Sequence, residues 1–137
     1  MRDNAVVLLV EDNEDDVFFM ERTFEKSQMR GSLHVVRSGD DAIRYLAGED
    51  GFGDRRRYPM PNLIFLDLKM PGMDGFDVLA WLKKQQHLNM PVAVLTSSPE
   101  ERDMRRVREL GGACYLLKPP STAMLTSCFK QFGLANQ

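Results

Sequence analysis

The 137 residues are predicted to fold as an α/β domain, a five-stranded parallel sheet with helices on both faces. Two observations predict this. Short aliphatic runs alternate with amphipathic stretches five times along the chain, the order that builds a parallel sheet through right-handed helical crossovers. The runs Ala5–Val10 (AVVLLV) and Leu63–Leu66 (LIFL) are also continuously apolar, as strands buried on both faces must be.

The elements follow in order. After Ala5–Val10, Glu11 to Asp16 holds five acids among six residues, and then Val17, Met20 and Phe24 recur at helical spacing. Acids in a first helical turn complement the positive end of the helix dipole. Leu33 to Arg37 is predicted as the second strand, and Ser38-Gly39-Asp40 opens a helix with Ala42, Ile43 and Leu46 on its apolar side. Gly48 to Pro61 is rich in glycine, proline and charge without periodicity, so it is expected as a loop. Leu63 to Leu66 ends at Asp67, and Lys69 to Asp74 (KMPGMD) is a turn into a helix carrying Phe76, Leu79 and Leu82 through about His87. Val92 to Leu95 is the fourth strand. Ser98-Pro99-Glu100-Glu101 then has the form of a capping box, with an N-cap serine, proline at the first helical position and glutamate at the third. The charged helix it opens is expected to stop at Gly111, followed by a strand from Ala113 to Leu117 and a last helix from Ser121 to Phe132.

Composition narrows the function classes. The chain is 43% hydrophobic and 28% charged, which is globular. Its 18 basic and 20 acidic residues leave a net charge of -2, a poor match to a nucleic-acid backbone or an anionic membrane. No apolar run reaches the ~18 residues of a membrane span, and with Met1-Arg2-Asp3-Asn4 at the start a targeting segment is not expected. Cys114 and Cys128 form no C-x-x-C pair and sit in apolar stretches, so neither a disulfide framework nor a zinc site is expected. A single domain (core about 5–133) in the cytoplasm, with no output domain, is the expectation.

In an open α/β sheet, ligands collect outside the carboxyl ends of the strands. Those ends carry Glu11 and Asp12 after the first strand, Asp67 after the third, Thr96 after the fourth and Lys118 after the fifth. Three carboxylates against one amine leave the rim with two net negative charges, and crowded carboxylates raise one another's pKa unless a cation intervenes. An oxygen-preferring ion such as Mg2+ would balance them. Lys118, Thr96 and nearby backbone amides suit a phosphoryl group.

These residues stand in motifs that resemble the receiver domain of two-component response regulators. The matching pieces are Val10-Glu11-Asp12, Leu63 to Gly75 (LIFLDLKMPGMDG), Pro91 to Ser97 (PVAVLTS) and Leu116 to Pro120 (LLKPP), in order and at fitting spacings over nearly the whole chain. The resemblance implies a flavodoxin-like (βα)5 receiver in which Asp67 accepts a phosphoryl group from a sensor histidine kinase or a small phosphodonor. It implies Mg2+ held by Glu11, Asp12, Asp67 and the backbone carbonyl of Lys69, and phosphoryl oxygens held by Thr96 and Lys118. It further implies a cis Lys118-Pro119 bond, Ser97 as a small neighbour of the phosphoryl group, and Tyr115 as an aromatic that swings when Thr96 moves. Lys69 and Ser98 are placed to tune attack by water. Such a protein is a timed switch rather than an enzyme acting on a separate substrate.

The enlarged Gly48–Pro61 loop, the Glu11–Asp16 segment, Thr96–Asp103 (TSSPEERD) and the Lys118-Pro119-Pro120 ending are similar to stand-alone regulators of the cyanobacterial phytochrome type. That implies a phytochrome kinase as partner, a downstream protein or phosphotransfer partner, and a homodimer through the face of helix four, strand five and helix five. The alternative weighed is an aspartyl-phosphate-forming phosphatase of haloacid-dehalogenase type, whose nucleophile motif has a second aspartate where this chain has Lys69. A flavodoxin-like cofactor binder is opposed by the acidic rim, and a pseudo-receiver by the intact acid, threonine and lysine set.

Simpler roles are expected elsewhere. Glu14, Asp15 and Asp16 should be solvated acids, Arg55-Arg56-Arg57 a solvated loop, and His34 and His87 ordinary strand or surface residues. Cys114 and Cys128 should be small core residues, and Trp81 and Phe18 should pack in the core.

Overall fold

Alternating side-chain direction along each strand divides the core into two layers, one on either side of a single sheet. The computed structural model describes residues 4–134, so the reading of the first residues, Met1 to Asp3, lies outside it. The elements are β1 (Ala5–Val10), α1 (Glu14–Lys26), β2 (Gly31–Val36), α2 (Gly39–Ala47), β3 (Leu63–Asp67), α3 (Gly75–Lys83), β4 (Val92–Thr96), α4 (Glu101–Glu109), β5 (Cys114–Leu117) and α5 (Thr122–Gln131). The strands are parallel in the order β2-β1-β3-β4-β5. Leu8, Val10, Ile64, Leu66, Val92 and Val94 face the layer completed by α2, α3 and Val107 of α4. Val7, Leu9, Leu63, Phe65, Ala93 and Leu95 face the layer of α1 and α5, with Val17, Met20, Phe24, Leu125 and Phe129. β1, β3 and β4 are central and almost wholly buried, which is why their sequences are aliphatic without polar alternation.

Three local expectations need correction. α4 begins at Glu101 with Glu100 as N-cap and no side-chain cap, so the Ser98 capping box is not formed. The Ser98 amide instead donates to Thr96 Oγ1 at 3.2 Å, holding residues 97–100 in a loop tied to the end of β4. A reciprocal box does form at α3: Asp77 N donates to Asp74 Oδ1 at 3.0 Å, and Asp74 N to Asp77 Oδ2 at 3.1 Å. α3 stops at Lys83 rather than near His87, because Gln85 N bonds Leu82 O and Leu88 N bonds Gln85 O in tighter turns. Phe18 is 54% exposed, not core. Val17, Met20 and Phe24 take the inward stripe of α1, and Phe18, one residue round from Val17, carries Arg22 5.6 Å above its ring. Trp81 does pack partly against the core, His34 lies beside Tyr45, and His87 is exposed.

The Gly48–Pro61 loop is ordered by its own aromatic residues. Tyr45, Phe52 and Tyr58 pack with ring centroids 4.9–5.9 Å apart, and the Tyr45 hydroxyl donates to Pro59 O at 2.7 Å. Arg55 is not solvated as expected. Its guanidinium donates to the carbonyls of Tyr45, Leu46 and Tyr58, tying the loop to the last turn of α2. Arg56 and Arg57 are exposed, as expected.

Candidate functional site

Parallel strands place their carboxyl ends on one rim, and the strand-end residues singled out from the sequence lie there. Glu11 follows β1, Asp67 and Thr96 close β3 and β4, and Lys118 follows β5. Glu11, Asp67 and Thr96 are the buried polar residues among those described, at 1%, 4% and 2% exposure, while Asp12 is exposed. Glu11, Asp12 and Asp67 each offer a carboxylate oxygen, all within 4.8 Å of one another. Oxygen-only donors in this number match a hard divalent cation that keeps further positions for water or phosphate.

Lys118 is the cation present on this rim. Its Nζ lies 2.8 Å from Glu11 Oε1, 3.1 Å from Asp67 Oδ1 and 2.9 Å from Asp16 Oδ2. Asp16 is therefore not the freely solvated acid expected, although Glu14 and Asp15 are exposed. One turn of α1 carries it from the Asn13 N-cap, whose side chain accepts from Asp16 N, to the lysine. Glu11 is raised from 4.5 to about 7, first by burial and then by nearby Asp67, with the Lys118 bond pulling the other way. Burial works against the Lys118 ammonium, but its bonds to Glu11 and Asp16 and the charge of Asp67 outweigh that, so its pKa moves upward.

The loops bounding the rim are held closely. The Lys118 amide donates to Thr96 O at 2.7 Å, and the Lys118-Pro119 peptide is cis, as the resemblance implied. A Cβ on Gly75 would lie 2.7 Å from Asp67 O, so only glycine lets α3 start this close to the strand end. Lys69 is exposed, with Nζ 3.3 Å from Asp103 Oδ2 on α4. Ser97 is exposed beside Thr96. Tyr115 is half-buried with the α4 layer rather than against α5, and its hydroxyl is shielded from solvent without a hydrogen-bond partner. The residue that sequence reasoning missed is Asp16. Its place in the first turn of α1, directly after Glu11 and Asp12, was a signal, but nothing in the sequence set it apart from Glu14 and Asp15.

Fold and rim together define a class. The chain belongs to the response regulator receiver domain family, whose model matches residues 7–130. Several response regulators are similar to it over most of their own length. It is 39% identical over 114 residues to the response regulator Rcp1 of Synechocystis sp., covering 82% of this chain and 76% of that protein. It is 36% identical over 120 residues to the probable methanogenesis regulatory protein FilR2 of Methanothrix harundinacea, covering 87% and 75%. Among solved structures, the bacteriophytochrome response regulator AtBRR aligns with a TM-score of 0.85 at 34% identity, over 99% of this chain and 97% of that one. The Mn2+-bound form of Rcp1 aligns with a TM-score of 0.76 at 36% identity, over 93% and 88%. The phosphorylated cyanobacterial phytochrome response regulator RcpA aligns at 0.79 and 32%, over 93% and 90%. These likenesses lend no support to the haloacid-dehalogenase-type alternative. No helix among the described residues is long and apolar enough to cross a membrane.

Proposed function

We propose that Asp67 is the phosphoacceptor of a two-component receiver and that its phosphorylation resets the protein's interaction surface. The observation that carries this reading is the buried Asp67 carboxylate, set among the Glu11 and Asp12 oxygens with the Lys118 ammonium 3.1 Å away. Glu11, Asp12, Asp67 and the backbone carbonyl of Lys69 would hold Mg2+. When bound, the ion screens the mutual repulsion of carboxylate and phosphoryl oxygens. An Asp67 oxygen attacks the phosphorus of a kinase phosphohistidine, the P–N bond breaks and its electron pair returns to the imidazole. Lys118 then turns from carboxylate to phosphoryl oxygen, and the Thr96 hydroxyl supplies a second donor. Tyr115 follows Thr96; its unpartnered hydroxyl favours a move to where it finds a hydrogen bond. The chemistry is self-directed, ending when water hydrolyses the acyl phosphate, with Ser97 leaving room and Lys69 and Ser98 beside its path.

The likeness to phytochrome response regulators supports a sensor histidine kinase of phytochrome type as phosphodonor, acting on a cytoplasmic protein. The face of α4, β5 and α5 would carry the output to a downstream protein or phosphotransfer partner and to a second copy of the chain. The mixed charges there, Glu100, Glu101, Asp103 and Glu109 against Arg102, Arg105, Arg106 and Arg108, can set register between like surfaces. Acetyl phosphate with Mg2+ should add one phosphoryl mass to the wild type and none to Asp67→Asn. No gain by the wild type, or equal gain by the variant, rejects the assignment. Beryllofluoride should shift the sedimentation profile towards dimer; an unchanged profile removes dimerisation from the account.

A further inference from the structure

Cys114 and Cys128 do more than fill the core. Cys114 opens β5 and Cys128 lies in α5, fourteen positions on, yet the packing of α5 against the sheet brings their sulfurs to 3.9 Å. Both thiols are free. Cys128 is buried, while Cys114 is only half-buried. Both line a surface groove of about 280 Å³ bordered by Leu116, Ala123, Ser127 and Gln131, so a small solute reaches the pair from solvent. Two thiols in contact, one accessible and one sheltered behind it, match the attacking and resolving arrangement of a redox pair.

We infer that Cys114 and Cys128 form a reversible oxidation site that closes an intramolecular disulfide when it meets a hydroperoxide. The Cys114 thiolate attacks the distal peroxide oxygen; the O–O bond breaks, an alcohol or water leaves, and Cys114 becomes a sulfenic acid. The Cys128 thiol then attacks that sulfur, the S–S bond forms, and the hydroxyl departs with the Cys128 proton as water. Two thiols are thus oxidised by two electrons and one peroxide is reduced. A hydrogen bond from Cys128 holds the Cys114 thiol below its ordinary pKa, although burial opposes this, and the same interaction together with burial pushes Cys128 up. The accessible sulfur is therefore also the more readily ionised one. The product would pin α5 to the strand that carries Tyr115 and leads into Lys118, so an oxidant would stiffen the face from which signal is proposed to leave. The inference stands on the two sulfurs and the groove and is independent of Asp67 chemistry.

The test uses the full chain, reduced, desalted and treated with hydrogen peroxide, then denatured and alkylated with N-ethylmaleimide. The expected product is monomeric, lighter than the reduced chain by two hydrogens and unalkylated, with a peptide map joining Cys114 to Cys128. Dithiothreitol should restore both alkylation sites. Cys128→Ser should instead stop at a sulfenic acid on Cys114 that dimedone captures, and acetyl phosphate should label reduced and oxidised wild type alike. Full alkylation after peroxide, a disulfide-linked dimer, or over-oxidation to sulfinic acid in the wild type would each overturn the inference. The peptide map decides the case even where a variant folds poorly.

Discussion

Arg55 and Lys118 are both partly buried cations at the edges of one sheet, and their partners differ in kind. Arg55 lies near the amino ends of β3 and β4, beside Asn62 and Pro91, and donates to three backbone carbonyls. Those bonds hold the guanidinium through carbonyl dipoles rather than through a counter-ion, and they tie the loop to α2. Lys118 sits at the carboxyl ends among three carboxylates, with Asp12 close to two of them. One ammonium cannot neutralise them, and burial, joined by the charge of Asp67, raises the pKa of Glu11. One end of the sheet is thus arranged for stability and the other holds charge in excess of what folding requires. Excess charge of one sign in a buried rim is what a receptor for a cation and a phosphoryl group has to maintain.

Substitutions can break this contrast. Asp67→Asn carries the largest expected effect, complete loss of labelling by acetyl phosphate. In metal-free buffer the same change should raise stability by about 1 kcal/mol, because one of the crowded charges is gone while a carbonyl still faces Lys118. Lower stability in urea titration would contradict the picture of an overcharged rim. Arg55→Ala should do the reverse, costing about 2–3 kcal/mol through three lost charge-assisted bonds while leaving phosphoryl uptake intact. A subtler check uses Glu11. With its folded pKa near 7 against an ordinary 4.5, the folded state keeps a proton that the unfolded chain releases. The stability from that proton is present below about 4.5 and is lost as pH rises through about 7, so metal-free unfolding midpoints should decline across that window. Glu11→Gln should flatten the decline, and a slope equal to wild type would show that another group is responsible. Asp16→Asn should have the smallest effect on stability, under about 1 kcal/mol, since Asp16 is 35% exposed and water screens its pairing with Lys118. A larger loss would make Asp16 a structural anchor rather than an added partner of the lysine.

Much of this is legible in the chain. The apolar runs of β1, β3 and β4 and the helical spacing of Val17, Met20 and Phe24 depend only on local periodicity, and all are where they were expected. Glu11, Asp67, Thr96 and Lys118 were readable as a cluster because parallel topology sends every strand's carboxyl end to one rim. The misreadings have physical causes. At Ser98 the cap motif lost to a competing local turn, since the Ser98 amide is used on the Thr96 hydroxyl two residues back. Arg55 and Asp16 looked like solvated charges because their partners are distant in sequence or hidden among similar neighbours.

What the sequence determined by itself is the order of elements, the two-layer core and the identity of the rim, because hydrophobic period and strand-end chemistry are local properties. Only the tertiary structure decided which charges are paired, which aromatic residues order the long loop, and that two cysteines fourteen residues apart touch. The loop contacts depend on α2 on one face of the sheet and the lysine and cysteine contacts on α1 and α5 on the other, and side-chain contacts between separate elements leave no periodic trace in the chain that makes them.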